Sequence, residues 1–198
     1  MKKDMIKNMT LTAMFMAIGI LLPFLTGQIP QFGNMMLPMH IPVILCGLIC
    51  GWKYGLIIGL ILPGFRHLLF FMPPLFAPFP PFHPILIPMT FELATYGFLA
   101  GLLYQRSRWQ CVVALYRSMI IAMVAGRIVL GVVMAIHIPF VTNGFSATAL
   151  MPAFISGAFT MAIPGIIIQL TLIPVIMVAL NRAGLVKFYR EINEKESV

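Results

Sequence analysis

Acidic side chains are scarce in this sequence: aspartate and glutamate together number five in 198 residues, against thirteen lysines and arginines. Charged residues of both signs make up 9% of the chain, where a soluble domain carries about 25%. An ordinary soluble fold is excluded. Several catalytic signatures are missing too. There is no G-x-x-x-x-G-K-[ST] loop to cradle a nucleotide's phosphates, no serine in a nucleophile elbow, and no pair of histidines at metalloprotease spacing, so none of those chemistries has its residues. Only three cysteines are present. Cys46 and Cys50 lie four apart but have no nearby histidine or second pair to complete a zinc site. No catalytic residue, metal site or cofactor is expected.

What is abundant is apolar: 61% of residues are hydrophobic and the mean hydropathy is +1.00. A hydrocarbon core about 30 Å thick needs roughly 20 apolar residues per helix, which leaves room for six spans and no separate soluble domain. They are expected at about 10–25, 38–50, 54–72, 85–104, 112–136 and 151–180. The runs are continuous rather than alternating, which excludes a β-barrel. The first lacks a small-residue cleavage site followed by a polar chain and is expected to stay in the fold. The second begins irregularly at "LPMHIP", Pro63 and Gly64 interrupt the third, and the sixth carries Pro164 and Pro174, which favour tilt or a kink. The expectation is an all-α integral membrane protein, one six-helix domain over residues 1–198.

Basic residues set its orientation. Lys2, Lys3 and Lys7 precede the first span, Lys53 follows the second, Arg106 and Arg108 follow the fourth, and Arg182, Lys187, Arg190 and Lys195 follow the sixth. Residues 26–37, 73–84 and 137–150 contain no lysine or arginine. By the positive-inside rule both termini are cytoplasmic. This asymmetry accounts for most of the net charge of +8 without a nucleic-acid partner. The cysteines then fall near the reducing side, and no disulfide is expected.

Against that topology a few residues stand out. Arg66 and His67 lie in the outer half of the third span, Glu92 about two turns into the fourth, and Arg127 near the middle of the fifth. An ionised side chain at mid-bilayer costs roughly 2.5–3.5 kcal/mol even on the gentler scales, so these should face protein or a wet cavity. Glu92 paired with Arg66 or Arg127 as a purely structural ion pair is one reading. Two arginines against one glutamate leave a positive charge over, and a planar guanidinium grips a carboxylate with two hydrogen bonds. The surplus points to a small acidic solute. Tyr96, one turn beyond Glu92, and Gln169 in the sixth span are candidates for the same pocket. So are His40 at the mouth of the second span, Gln31 and Asn34 in the first outer loop, and Asn143 in the third. Small residues recur every four positions at Ala13 and Ala17, at Gly47, Gly51, Gly55 and Gly59, and at Gly97 and Gly101. Such spacing lets helices approach closely, and the glycines are assigned to internal packing.

Six short spans with both ends inside, the Ala-x-x-x-Ala of the first, and the segments "LPMHIPVILCGLICGWKYGLIIGLILP" and "FELATYGFLAGLLY" resemble the substrate-binding S component of energy-coupling factor (ECF) transporters. The resemblance spans nearly the whole chain. It implies a prokaryotic cytoplasmic-membrane protein that captures a vitamin or related micronutrient from outside, with residues 26–37 as a lid. It also implies partners: a transmembrane T component, contacted through Ala13 and Ala17, and two cytoplasmic ATPases. Surplus arginine favours an anionic vitamin such as pantothenate, while pyridoxine-type, folate and queuosine-precursor ligands stay open. Two other classes also stay open: a stand-alone channel or carrier, and an intramembrane enzyme using Glu92 with a histidine.

Overall fold

The computed structural model describes residues 2–26, 38–70, 86–107, 111–142 and 163–183. Among them the chain forms six α-helices and no strand: α1 Lys2–Thr26, α2 His40–Cys50, α3 Trp52–Phe70, α4 Leu86–Arg106, α5 Val112–Thr142 and α6 Ile163–Arg182. Among the described residues five stretches are long and apolar enough to cross a membrane, namely Met5–Pro23 within α1, all of α3 and α4, Val112–Ile136 within α5, and α6. The remaining helix, α2, has 11 residues. At 1.5 Å per residue it is about 16 Å long, roughly half of the ~30 Å hydrocarbon thickness.

That short helix is the centre of the molecule. HIPVILCGLIC contains no lysine, arginine, aspartate or glutamate, and ten of its residues, all but Ile49, are buried. A helix apolar on every face has no side to show to water and ends up enclosed by its neighbours. Val43, Ile44 and Cys46 meet Leu62 of α3, Leu93 of α4, Leu115 and Met119 of α5, and Ile173 and Met177 of α6 in one core, all fully buried. The large apolar residues left exposed, such as Leu68, Val113, Ile128 and Val175, lie on the outer sides of α3, α5 and α6. Facing lipid carries no penalty for them.

Glycines fix how closely α2, α3 and α4 approach. A methyl group added at Gly47 or Gly55 would run into the Gly97 carbonyl oxygen, and one at Gly97 into the Gly55 carbonyl. At Gly59 it would lie 2.6 Å from the Ala94 Cα, and at Gly101 2.8 Å from the Trp52 Cα. The obstacles are backbone atoms, which cannot rotate aside. Gly51 alone joins α2 to α3, with φ at 111° and its N–H on the Gly47 carbonyl at 3.2 Å; only glycine takes that conformation without strain.

The helices overrun some of the expected limits. α1 begins at Lys2 rather than near Thr10, and α5 continues through HIPFVT to Thr142, since a chain at the membrane boundary keeps its backbone hydrogen bonds by staying helical. Pro63, expected with Gly64 to interrupt the third span, lies buried inside a continuous α3, where packing against neighbours offsets the lost backbone bond. Of the expected sixth span, residues 151–162 lie outside the described residues, as does most of the expected lid.

Candidate functional site

Glu92 is the only carboxylate side chain between Asp4 and Glu191, and the structure buries it. It sits six residues into α4, about 9 Å along the axis, at 3% exposure. The glycine seam brings this part of α4 against α2, so His40, the first residue of α2, reaches it: His40 Nε2 lies 3.8 Å from Glu92 Oε1. That is too long for a hydrogen bond. One turn further along α4, the Tyr96 hydroxyl donates to the same oxygen at 3.1 Å, the (i, i+4) spacing that stacks side chains on one helix face. The His40 and Tyr96 rings meet edge to face, 5.0 Å between centroids.

The cation comes from α5. Arg127 Nη1 lies 3.1 Å from Glu92 Oε1, and the arginine is 6% exposed. Gly126 makes the approach possible, since a side chain there would meet the Tyr96 ring at 2.9 Å. Three groups from three helices thus converge on one carboxylate oxygen. Burying two charges is favourable only when their mutual attraction and further hydrogen bonds offset the loss of water. On the Glu92 side Tyr96 supplies such a bond. On the Arg127 side, Nε and Nη2 are buried with no hydrogen-bond partner, as are both ring nitrogens of His40. A buried donor left unpaired costs about 1–3 kcal/mol. Such donors have hydrogen-bonding capacity left for a polar ligand or water.

Arg66 takes a different partner from the one the charge count suggests. It is half-buried on α3, and its Nη1 lies 2.9 Å from Met39 Sδ. Its Nε is buried without a partner, and no ion pair joins it to Glu92 among the described residues. Because Met39 directly precedes His40, Arg66 stands beside the same helix start. His67 is half-buried on α3. Gln169 is 1% exposed on α6, in the stretch that also buries Gly165 and Ile173. Gln31, Asn34 and Asn143 lie outside the described residues. Ala13 and Ala17 are exposed on α1.

Two contributors escaped the sequence reading. Met39 receives Arg66 through a soft acceptor, and Gly126 seats Tyr96 against α5. A glycine immediately before an intramembrane arginine is the one sequence signal that could have marked Gly126. Among the described residues no group of three or more histidine, cysteine or acidic side chains is placed to hold a metal ion, and Cys46, Cys50 and Cys111 are free thiols.

No curated protein and no solved structure matches the chain. A family model described as "ECF transporter, substrate-specific component" matches residues 7–177. With its apolar helices enclosing a small charged cluster, the chain is a multi-pass membrane protein that belongs to the family of ECF transporter substrate-specific components.

Proposed function

We propose that this chain captures a water-soluble vitamin or related micronutrient carrying an acidic group, with pantothenate the first candidate, at the cluster formed by His40, Glu92, Tyr96 and Arg127. Family membership supplies the coarser part: it is a substrate-capturing subunit of an ECF-type importer, a transporter component that works with a T component and ATPases on a small-molecule substrate. The finer part rests on one observation. The buried Arg127 keeps donors free after pairing with Glu92, and Arg66 stands nearby with no carboxylate partner among the described residues. Buried cationic donors of this kind favour an anion.

The same pairing speaks against a cationic ligand. With Arg127 already on Glu92, no free carboxylate is left among the described residues of the cluster to receive a pyridinium or thiazolium ring. In this reading the chain lies in a prokaryotic cytoplasmic membrane with both termini inside. Residues 26–37 with Gln31 and Asn34, and Asn143 in the third outer loop, complete the pocket from outside, and His67 and Gln169 line it.

The test is thermal unfolding of the detergent-purified protein against a vitamin panel. A ligand that binds only the folded state stabilises it by about 2.7 kcal/mol at a hundredfold excess over Kd. Pantothenate is expected to raise the unfolding temperature while thiamine does not. A shift with a cationic vitamin and none with any acid would overturn the anionic reading. Uptake that persists without the ATPases would instead point to a stand-alone carrier.

A further inference from the structure

We propose that Arg127 is the specificity-determining residue of this site and reads its ligand side-on: Nη1 stays on Glu92 while the edge formed by Nε and Nη2 grips a carboxylate. This rests on the capture reading above and adds which group enters deepest and what recognises it.

A guanidinium is planar, and Nε–H and one N–H of Nη2 project in parallel from the same edge, which matches the two oxygens of a carboxylate. Glu92 occupies the other end of the group through Nη1 at 3.1 Å. The two donors of the matching edge are the ones buried without a partner. The guanidinium is therefore held by one carboxylate in an orientation that presents its bidentate edge to a second. Tyr96, donating to Glu92 Oε1 at 3.1 Å, fixes that oxygen. Glu92 and Tyr96 are positioning residues; the ligand's acid meets Arg127. His40, 1% exposed with both ring nitrogens unpartnered, offers one donor and one acceptor to a hydroxyl or amide beside the acid.

Charge selects carboxylate over a neutral planar group. Glu92 and Arg127 cancel, leaving Arg66 and the start of α2, which has no acidic residue in its first turn and no side-chain cap. Both favour negative charge. The edge of Arg127 would also fit two oxygens of a phosphate ester, so the discrimination falls to the start of α2. Phosphate is best held by several backbone N–H groups at a helix start, and Pro42 removes one from the first turn of α2. Arg127 lies nine residues before Ile136, where the apolar stretch of α5 ends on the expected outer side, about 14 Å in from it, whereas His40 stands at the very start of α2. The acid of the ligand therefore enters first and its polar tail faces outward.

The experiment compares acids with matched neutral counterparts on the detergent-purified full chain: pantothenate with pantothenol, nicotinate with nicotinamide, and biotin with its amide, plus riboflavin, thiamine, pyridoxine and pyridoxal phosphate. One acid is expected to bind, with its neutral counterpart weaker by roughly thirtyfold or more, a difference of about 2 kcal/mol. In Arg127→Lys, which keeps the charge but loses the flat edge, the preference for acid over neutral should shrink at least roughly fivefold. The wild-type comparison decides the matter even if the variant does not fold. Equal affinity for acid and neutral forms, undiminished preference in a folded Arg127→Lys, or binding confined to a neutral, cationic or phosphorylated vitamin would overturn the side-on assignment and leave capture standing. Binding of none of these would overturn both.

Discussion

Glu92 and Arg127 invite a choice between two roles, structural staple and ligand grip, and the two predict different thermodynamics. Removing one partner of a buried ion pair typically costs 3–5 kcal/mol because the other charge is stranded, whereas replacing both with apolar residues of similar size is often neutral or stabilising. Glu92→Met and Arg127→Met should each destabilise the protein by about 3–5 kcal/mol. The double variant should regain most of that loss while binding no ligand. Unfolding in mixed micelles, with a ligand titration on each folded variant, checks both halves; a double variant that still binds ligand would reduce the pair to a staple. Part of this site was legible from sequence. The (i, i+4) spacing of Glu92 and Tyr96 places both on one face of any helix, and hydropathy alone marks Glu92 and Arg127 as intramembrane. The pairing was not legible, because choosing between Arg66 and Arg127 depends on how α3 and α5 are rotated against α4. A methionine thioether as the partner of Arg66 carries no sequence signal either.

Glycines govern the elements, and their neighbours differ enough to give opposite predictions for the same substitution. Gly97→Ala puts a methyl group into the Gly55 carbonyl. Backbone cannot rotate away, so α3 and α4 must separate, and the loss should be about 3 kcal/mol or more, at the upper end of overpacking effects. Gly64→Ala meets nothing within 4 Å and should be neutral or stabilising by up to about 1 kcal/mol, the helix-propensity gain of alanine over glycine. Unfolding of the two variants side by side checks the contrast. If Gly97→Ala proves as harmless as Gly64→Ala, the seam is looser than described and the placement of Glu92 against His40 loses its support. The four-residue repeat of these glycines announced close packing. It did not say which glycine faces which, since a repeat fixes a stripe on one helix and says nothing of the partner's register. Hydropathy placed the fifth apolar stretch at 112–136, the bounds it has within α5, but α1 and α5 run on past their apolar stretches, because hydropathy measures where lipid is tolerated and not where hydrogen bonding stops.

At the scale of the whole molecule, α1 has two contrasting faces. Phe15, Gly19 and Pro23 are buried at four-residue spacing, with Gly19 against Leu62 of α3 and Pro42 of α2. Ala13 and Ala17 lie two positions away from that series, about 200° around a helix of 3.6 residues per turn, and both are exposed together with Met14, Ile18 and Leu21. A pair of small residues four apart on an outward face lets another transmembrane helix approach closely. A substrate-specific component works with a T component and needs a surface toward it, while the cluster proposed here to take the ligand is buried among α2, α4 and α5. Enlarging the alanines should therefore separate capture from transport. In Ala13→Leu/Ala17→Leu the new side chains point away from the core, so fold stability and ligand affinity in detergent should stay within about twofold of wild type, a free-energy change near 0.4 kcal/mol. Co-purification with the T component and ATPases, and ATP-driven uptake into proteoliposomes, should both fall at least roughly tenfold. Leucine substitutions at Ile18 and Met14, which add no bulk to the small-residue stripe, supply the control and should leave uptake intact. Unchanged uptake in the double leucine variant would move the docking surface elsewhere on the bundle. Loss of ligand binding together with uptake would show that this face of α1 supports the fold rather than the complex.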